Sequence, residues 1–174
     1  GKQGAREYPA ELVLVSAGRK VNTENLNLSE IGINFDRAGI KVNSQYRTSI
    51  PSIYAIGDVI GGKMLAHLAS EQGRTVAENI FGAGGQINED AIPSCIFSFP
   101  EVAGVGLTEG EAKEREIPYI VSKFMLAANG KALTMGEADG LVKVIAEEDS
   151  KKIIGVHILG AHASDLIHEG VLAI

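Results

Sequence analysis

The chain is 174 residues long and carries 16 Lys+Arg against 22 Asp+Glu, a net charge of −6 with histidine neutral. That acidic balance, without tryptophan or a dense Lys/Arg stripe, speaks against nucleic acid as the main partner, and no apolar run reaches the roughly 18 residues of a membrane span. The single cysteine, Cys95, excludes an intramolecular disulfide, a two-thiol redox centre and a four-thiolate zinc site built from these residues alone.

With 45% apolar and 22% charged residues, the composition is that of a packed protein of one domain or two small ones. Gly1-Lys2-Gln3-Gly4 lacks the apolar stretch of a signal peptide. Leu12 to Val15 form an unbroken apolar run closed by Ala17-Gly18, the pattern of a short strand buried on both faces of a parallel or interior sheet. Asn25 to Ile31 can supply one helical turn, and a brief strand is expected at Ile40 to Val42. After Pro51 a second buried strand, Ile53 to Ile56, is expected to stop at Gly57-Asp58. From Leu65 the positions Leu65, Leu68, Ala69, Gln72/Gly73, Val76 and Ile80 follow helical spacing, and Gly82 with Gly84-Gly85 end the helix. The glycine-rich stretch before Asp90 is the best candidate boundary.

Past Pro93 the pattern changes to strands and hairpins: Ser94 to Phe99, Val102 to Leu107, Tyr119 to Met125, Leu141 to Ala146 and Ile153 to Leu159. Thr108-Glu109-Gly110-Glu111 is a capping box opening a helix to about Glu116, and Glu147 to Ser150 reads as a hairpin turn. Ser164 is the expected N-cap of a last helix whose apolar face is Leu166, Ile167, Gly170, Val171 and Ile174. No stop signal follows, so the sequence is expected to be cut from a longer chain.

Two places suggest chemistry. Tyr54-Ala55-Ile56-Gly57-Asp58 delivers a small residue and a carboxylate at a strand end, the edge where open α/β sheets bind ligands. An aspartate there can accept hydrogen bonds from ligand hydroxyls, and it can equally cap a turn. Met64-Leu65-Ala66-His67 opens the long helix, whose first N–H groups lack intrahelical partners and would favour negative charge developing on a conjugated carbonyl. Every helix has such an end, so this feature alone specifies no ligand.

The strings Val15 to Arg19, Ile50 to Val59 and Met64 to Gly73 together resemble the flavin-dependent pyridine nucleotide–disulfide oxidoreductases. With Ile96 to Gly106 and Ala128-Asn129-Gly130, they are most similar to the branch of that family that oxidises dihydrolipoamide. The resemblance runs from about Glu11 onward. It implies a fold passing from α/β to α+β: the remnant of an FAD/NAD-binding Rossmann-like region, then an antiparallel-sheet-plus-helices interface (dimerisation) domain. Residues 1–18 would end the NAD-binding domain, 19–90 would be the C-terminal part of the FAD-binding domain, and 91–174 the interface domain, cut short at its C-terminal end. Gly18 would lie near NAD, Asp58 would bind a ribityl hydroxyl of FAD, and Met64, Leu65, Ala66 and His67 would line the flavin. The resemblance also implies a homodimer, lipoyl-bearing partner proteins of a 2-oxo acid dehydrogenase or glycine cleavage complex, and a cytoplasmic location, or the mitochondrial matrix in a eukaryote.

Departures from the family pattern bear on activity. The chain has no G-x-G-x-x-G turn, no cysteine pair and no His-x-His-Pro motif, so the parent enzyme would pass electrons from dihydrolipoamide through a cysteine pair and FAD to NAD⁺ while this piece alone is expected to be inactive. Phe97-Ser98 stands where many relatives have Tyr-Thr. A relative resembling mercuric or glutathione reductase, or a ligand-free dimerisation module, is the alternative. His67, His157, His162 and His168 show no metal-ligand spacing, and the His168-Glu169 pair reads as polar positions of a helix rather than a catalytic couple. Cys95 reads as a small core residue, and Glu109, Glu111, Glu114 and Glu116 as a solvated face. No catalytic residue and no metal ligand is assigned.

Overall fold

The computed structural model describes residues 7–174, so the reading of Gly1 to Gly4 and the first six positions of the 1–18 segment fall outside the described residues. The chain forms two compact units, one ending at Met64 and one running from Leu65 to Ile174.

The first unit departs from the expected buried strands. Leu12 to Val15 is not a strand, and its four side chains are 75–88% exposed. A strand is held by neighbours that take its backbone donors and acceptors, and no described residue pairs with this run. Asn25 to Ile31 is a series of turns and not a helix, with Asn25 and Asn27 in left-handed backbone and a single closure of the Ile31 N–H on the Asn27 carbonyl at 3.2 Å. The brief strand near Ile40 belongs to a two-residue hairpin, β1 (Phe35–Asp36) with β2 (Gly39–Ile40), paired Phe35↔Ile40. The Asp36 carboxylate takes the Ala38 N–H at 2.7 Å across its tip and pairs with Lys41, which holds its pKa below the usual range. Ile53 to Ile56 is likewise not a continuous strand. The chain doubles back at Thr48 to Ile53, so the run meets only a single bridge, Arg47 to Tyr54, with the Ala55 N–H on the Tyr46 carbonyl at 3.0 Å. Leu28, Ile33, Ile40 and Ala55 form the buried cluster, flanked by Ile50, Ile53, Val59 and Ile60.

The second unit opens with α1 (Ala66–Ile80), on which Leu68, Gln72 and Thr75 are buried while Ile80 is exposed. The buried stripe therefore includes a threonine that hydrophobic spacing passes over. Gly82, at φ +80°, lets the chain turn so that the Ala83 N–H reaches the Glu78 carbonyl at 2.8 Å.

Five strands then build one antiparallel sheet: β3 (Ser94–Ile96), β4 (Glu101–Gly106), β5 (Tyr119–Met125), β6 (Leu141–Glu147) and β7 (Ile153–Gly160), in the order β3-β4-β7-β6-β5. Between β4 and β5, α2 (Glu109–Glu114) carries the expected capping box, with Thr108 Oγ1 accepting from the Glu111 N–H and Glu111 accepting from the Thr108 N–H. Between β5 and β6 lies α3 (Gly130–Met135), capped by Asn129, whose side-chain oxygen accepts the Ala132 N–H at 3.0 Å.

The last helix, α4 (Ala163–Ala173), packs on one sheet face, where Ala103, Val105, Val156, Ile158, Ala163 and Ile167 form the core. Gly170 fits there because a Cβ would come within 2.9 Å of Val156. Val171 and Ile174 pack against this core, whereas Leu166 is turned out to solvent. Much of the apolar face expected for the last helix is thus used inside the protomer. The N-cap is His162, in left-handed backbone at φ +59°, and not Ser164.

Because strand side chains alternate between faces, residues next to the core positions point to the opposite face. There the register aligns Ile96, Val102, Leu159, Leu141 and Met125 in one apolar row crossing all five strands. Beside it, Gly104, His157, Lys143 and Lys123 align in a second, polar row. Ile96, Val102, Leu159 and Met125 are exposed.

Candidate functional site

In the first unit the turn after Ile56 is a single 3₁₀ turn, Gly57–Ile60, carrying Asp58. It is fixed by backbone packing. A Cβ on Gly39 would come within 2.6 Å of the Val59 carbonyl oxygen, and one on Gly61 would land on the Ala38 carbonyl oxygen. Both glycines have positive φ, +128° and +77°, so the tip of the β1-β2 hairpin presses directly on the Asp58 turn with no side chain between.

Arg19 grips the other side of that turn. Its Nη1 donates to Asp58 Oδ2 at 2.9 Å and its Nη2 to the Met64 carbonyl at 2.6 Å. Asp58 Oδ1 has no hydrogen-bond partner among the described residues, and the Asp58 side chain is half exposed. The structure therefore joins two of the sequence-selected residues, Asp58 and Met64, through a third to which sequence reasoning gave no role. Its only signal was a cation directly after a glycine that closes an apolar run. Gly18, at φ +101°, has open space where a side chain would stand.

Leu65, Ala66 and His67 belong to the second unit. Leu65 is the N-cap of α1, in extended backbone and with no side-chain cap bond, so the donors of the first turn are not taken by a capping side chain. His67 is exposed, and its Nε2 donates to the Pro93 carbonyl at 2.8 Å.

The remaining histidines are dispersed. His157 Nε2 lies 3.0 Å from the Leu107 carbonyl, His162 Nδ1 is 3.4 Å from Asp165, and His168 lies exposed on α4. Among the described residues no three His, Cys, Asp or Glu side chains come together as a metal site would need. Burial, aided by the Glu101 charge, pushes the Cys95 thiol pKa up, the opposite of what a nucleophile requires. The solvated acidic face is only partly as expected. Glu109 reaches Lys143 Nζ at 2.8 Å, which lowers the carboxyl's pKa, and Glu111 serves the capping box. Among the described residues no helix is long and apolar enough to cross a membrane.

Comparison with known proteins bears on both units. Residues 2–73 match the pyridine nucleotide-disulphide oxidoreductase model, and residues 92–174 match that family's dimerisation domain. Dihydrolipoyl dehydrogenase of Chlamydia muridarum is 49% identical over 94% of the chain, covering 36% of that protein. Mitochondrial dihydrolipoyl dehydrogenase 1 of Arabidopsis thaliana is 46% identical over 100% of the chain and 34% of its own length. The crystal structure of LpdA from Mycobacterium tuberculosis superposes with a TM-score of 0.81 at 28% identity, over 88% of this chain and 34% of that one. The chain thus spans about a third of the length of the curated relatives it matches. Two adjacent domain models of one family, matched in succession, agree with the resemblance carried by the Asp58 and Met64 segments, and the chain belongs to the pyridine nucleotide-disulphide oxidoreductases.

Proposed function

We propose that this chain is part of a dihydrolipoyl dehydrogenase, contributing the wall of the flavin site and the domain that joins two subunits. The observation that carries the reading is the identity of 46–49% to dihydrolipoyl dehydrogenases along 94–100% of the chain. The reaction of the whole enzyme is then dihydrolipoamide + NAD⁺ → lipoamide + NADH + H⁺. FAD, when bound, supplies the two-electron transfer between the dithiol and the nicotinamide. The dithiol relay needs two cysteines that can close into a disulfide, and this chain has one, so the pair belongs to residues outside it.

The residues present fit the flavin side of FAD. Asp58 offers a half-exposed carboxylate with Oδ1 uncommitted, suited to accept a ribityl hydroxyl. The uncapped first turn of α1 offers N–H donors where negative charge can be stabilised. On this reading Met64, Leu65, Ala66 and His67 line the flavin and Gly18 lies near NAD. Residues 1–18 end the NAD-binding domain, 19–90 belong to the FAD-binding domain and 91–174 form the interface domain. The exposed row from Ile96 to Met125 gives that last segment apolar surface for a homodimer. Lipoyl-bearing proteins of a 2-oxo acid dehydrogenase or glycine cleavage complex are the macromolecular partners, in the cytoplasm or the mitochondrial matrix.

The test uses the full-length enzyme containing this chain. Asp58→Ala should weaken FAD binding about ten- to a hundred-fold, the loss of one charge-assisted hydrogen bond. Unchanged affinity would reduce Asp58 to a turn residue. Absence of NAD⁺-dependent dihydrolipoamide oxidation by the full-length holoenzyme would overturn the assignment of activity.

A further inference from the structure

We infer that Arg19 is a positioning residue for the flavin site, a two-pronged clamp that orients the Asp58 carboxylate and ties it to the Met64 backbone. The inference rests on the proposed flavin site and concerns a residue outside the set assigned to it. One guanidinium binds two acceptors that lie 39 and 45 residues away in sequence, through two different nitrogens, at 2.9 and 2.6 Å. The planar fork of arginine holds such a pair in fixed geometry, which the point charge of a lysine ammonium does not.

Position gives the clamp its purpose. The Asp58 turn is backed on one side by the hairpin tip at Gly39, where the contact is rigid backbone. Arg19 holds the Asp58 side chain by taking Oδ2. Oδ1 remains as the acceptor, pre-oriented, so a ligand hydroxyl need not first immobilise the carboxylate. The second prong holds the backbone at Met64, the residue immediately before the N-cap of α1. A lone exposed ion pair would contribute little. The second acceptor, and the placement of both acceptors in segments assigned to one ligand, distinguish this one.

A double-mutant cycle on the full-length holoenzyme tests the clamp, read as FAD affinity by titrating apoprotein and following flavin fluorescence. Arg19→Met keeps most of the stem and removes the donors. It should weaken FAD about two- to five-fold in the parent, and have no further effect once Asp58→Ala is present, because Arg19 acts through Asp58. Arg19→Lys should restore only part of the loss. The thermal midpoint of apoprotein Arg19→Met should stay within a degree or so of the parent, as expected for an exposed side chain, which separates positioning from a general loss of structure. Independent, additive losses, or no loss with Arg19→Met while Asp58→Ala does weaken FAD, would overturn the clamp and leave the site assignment standing. If Asp58→Ala is itself without effect, the site assignment fails and the clamp with it.

Discussion

Glu101 Oε2 accepts the backbone N–H of Ser164 at 2.9 Å, so a carboxylate at the start of β4 caps the last helix through a residue 63 positions later in the chain. The local N-cap, His162, makes no side-chain cap bond, and the first turn of α4 relies on this tertiary partner. The same bond, with the Ser164 hydroxyl and the nearby His162, holds the Glu101 carboxyl below its ordinary pKa of 4.5.

Glu101→Ala should therefore lower the thermal midpoint by roughly a few degrees, as loss of a helix cap does, and Glu101→Gln by less. A carboxyl with a lowered folded-state pKa binds its proton more readily in the unfolded chain. Its contribution is complete above 4.5 and fades as pH falls through the lower folded value. The gap between parent and Glu101→Gln, followed by circular dichroism melts, should close as the pH drops below that range. A gap that is constant with pH would detach the carboxylate's charge from the cap.

Gly61→Ala should be strongly destabilising to the Asp58 turn, by at least about 2 kcal/mol, from left-handed backbone cost plus collision with the Ala38 carbonyl. Gly62→Ala, also at positive φ but with open space around it, carries only the conformational part. Denaturant unfolding of the two variants side by side measures the difference. Equal effects would remove the collision from the account.

Ile167 is fully buried against the sheet and Leu172 is 90% exposed on the same helix. Truncation of Ile167 to Ala should cost about 2–5 kcal/mol, and Leu172→Ala should stay within about 0.5 kcal/mol. Val171→Asp, which a reading of the stripe as an intersubunit face would score as a dissociating change, should instead unfold α4, since Val171 packs against the protomer's own core. Helical signal and molecular mass measured together separate unfolding from dissociation.

The chain on its own should show no NAD⁺-dependent oxidation of dihydrolipoamide, and Cys95 should react with iodoacetamide more slowly than a free cysteine at neutral pH, because its thiol pKa is raised. Turnover that disappears with Cys95→Ser would contradict the first statement, and alkylation as fast as that of a free cysteine would contradict the second.

The second unit was legible in the sequence because its elements are specified locally. The Thr108–Glu111 box, the Glu147 to Ser150 turn and the β-prone run Tyr119 to Met125 each fix their own segment, and all three appear where expected. Ser164 failed as a cap because the capping group comes from Glu101, and no local pattern encodes a contact across 63 residues. Leu12 to Val15 failed for another reason, since an apolar run specifies burial only when partners exist to cover it, and Ile53 to Ile56, though packed in the cluster around Ala55, failed as a strand because the chain doubles back and leaves it a single bridge. Of the candidate site, the start of α1 could be read from its helical pattern and Asp58 was singled out from a strand end that the fold replaces by a turn, whereas Arg19 could not be singled out. Its role depends on two acceptors brought to it by the fold.

The two rows on the sheet face opposite the α4 core bear on how the strands find their alignment. A slip of two residues keeps every side chain on its proper face, so inside-outside alternation alone does not forbid it. Across this sheet, however, such a slip between β6 and β7 would set Lys143 opposite Leu159 in place of Leu141, and one between β5 and β6 would set Met125 opposite Lys143. Apolar and polar rows lying side by side thus act as a vernier scale, on which the observed setting brings like marks into line across β5, β6 and β7.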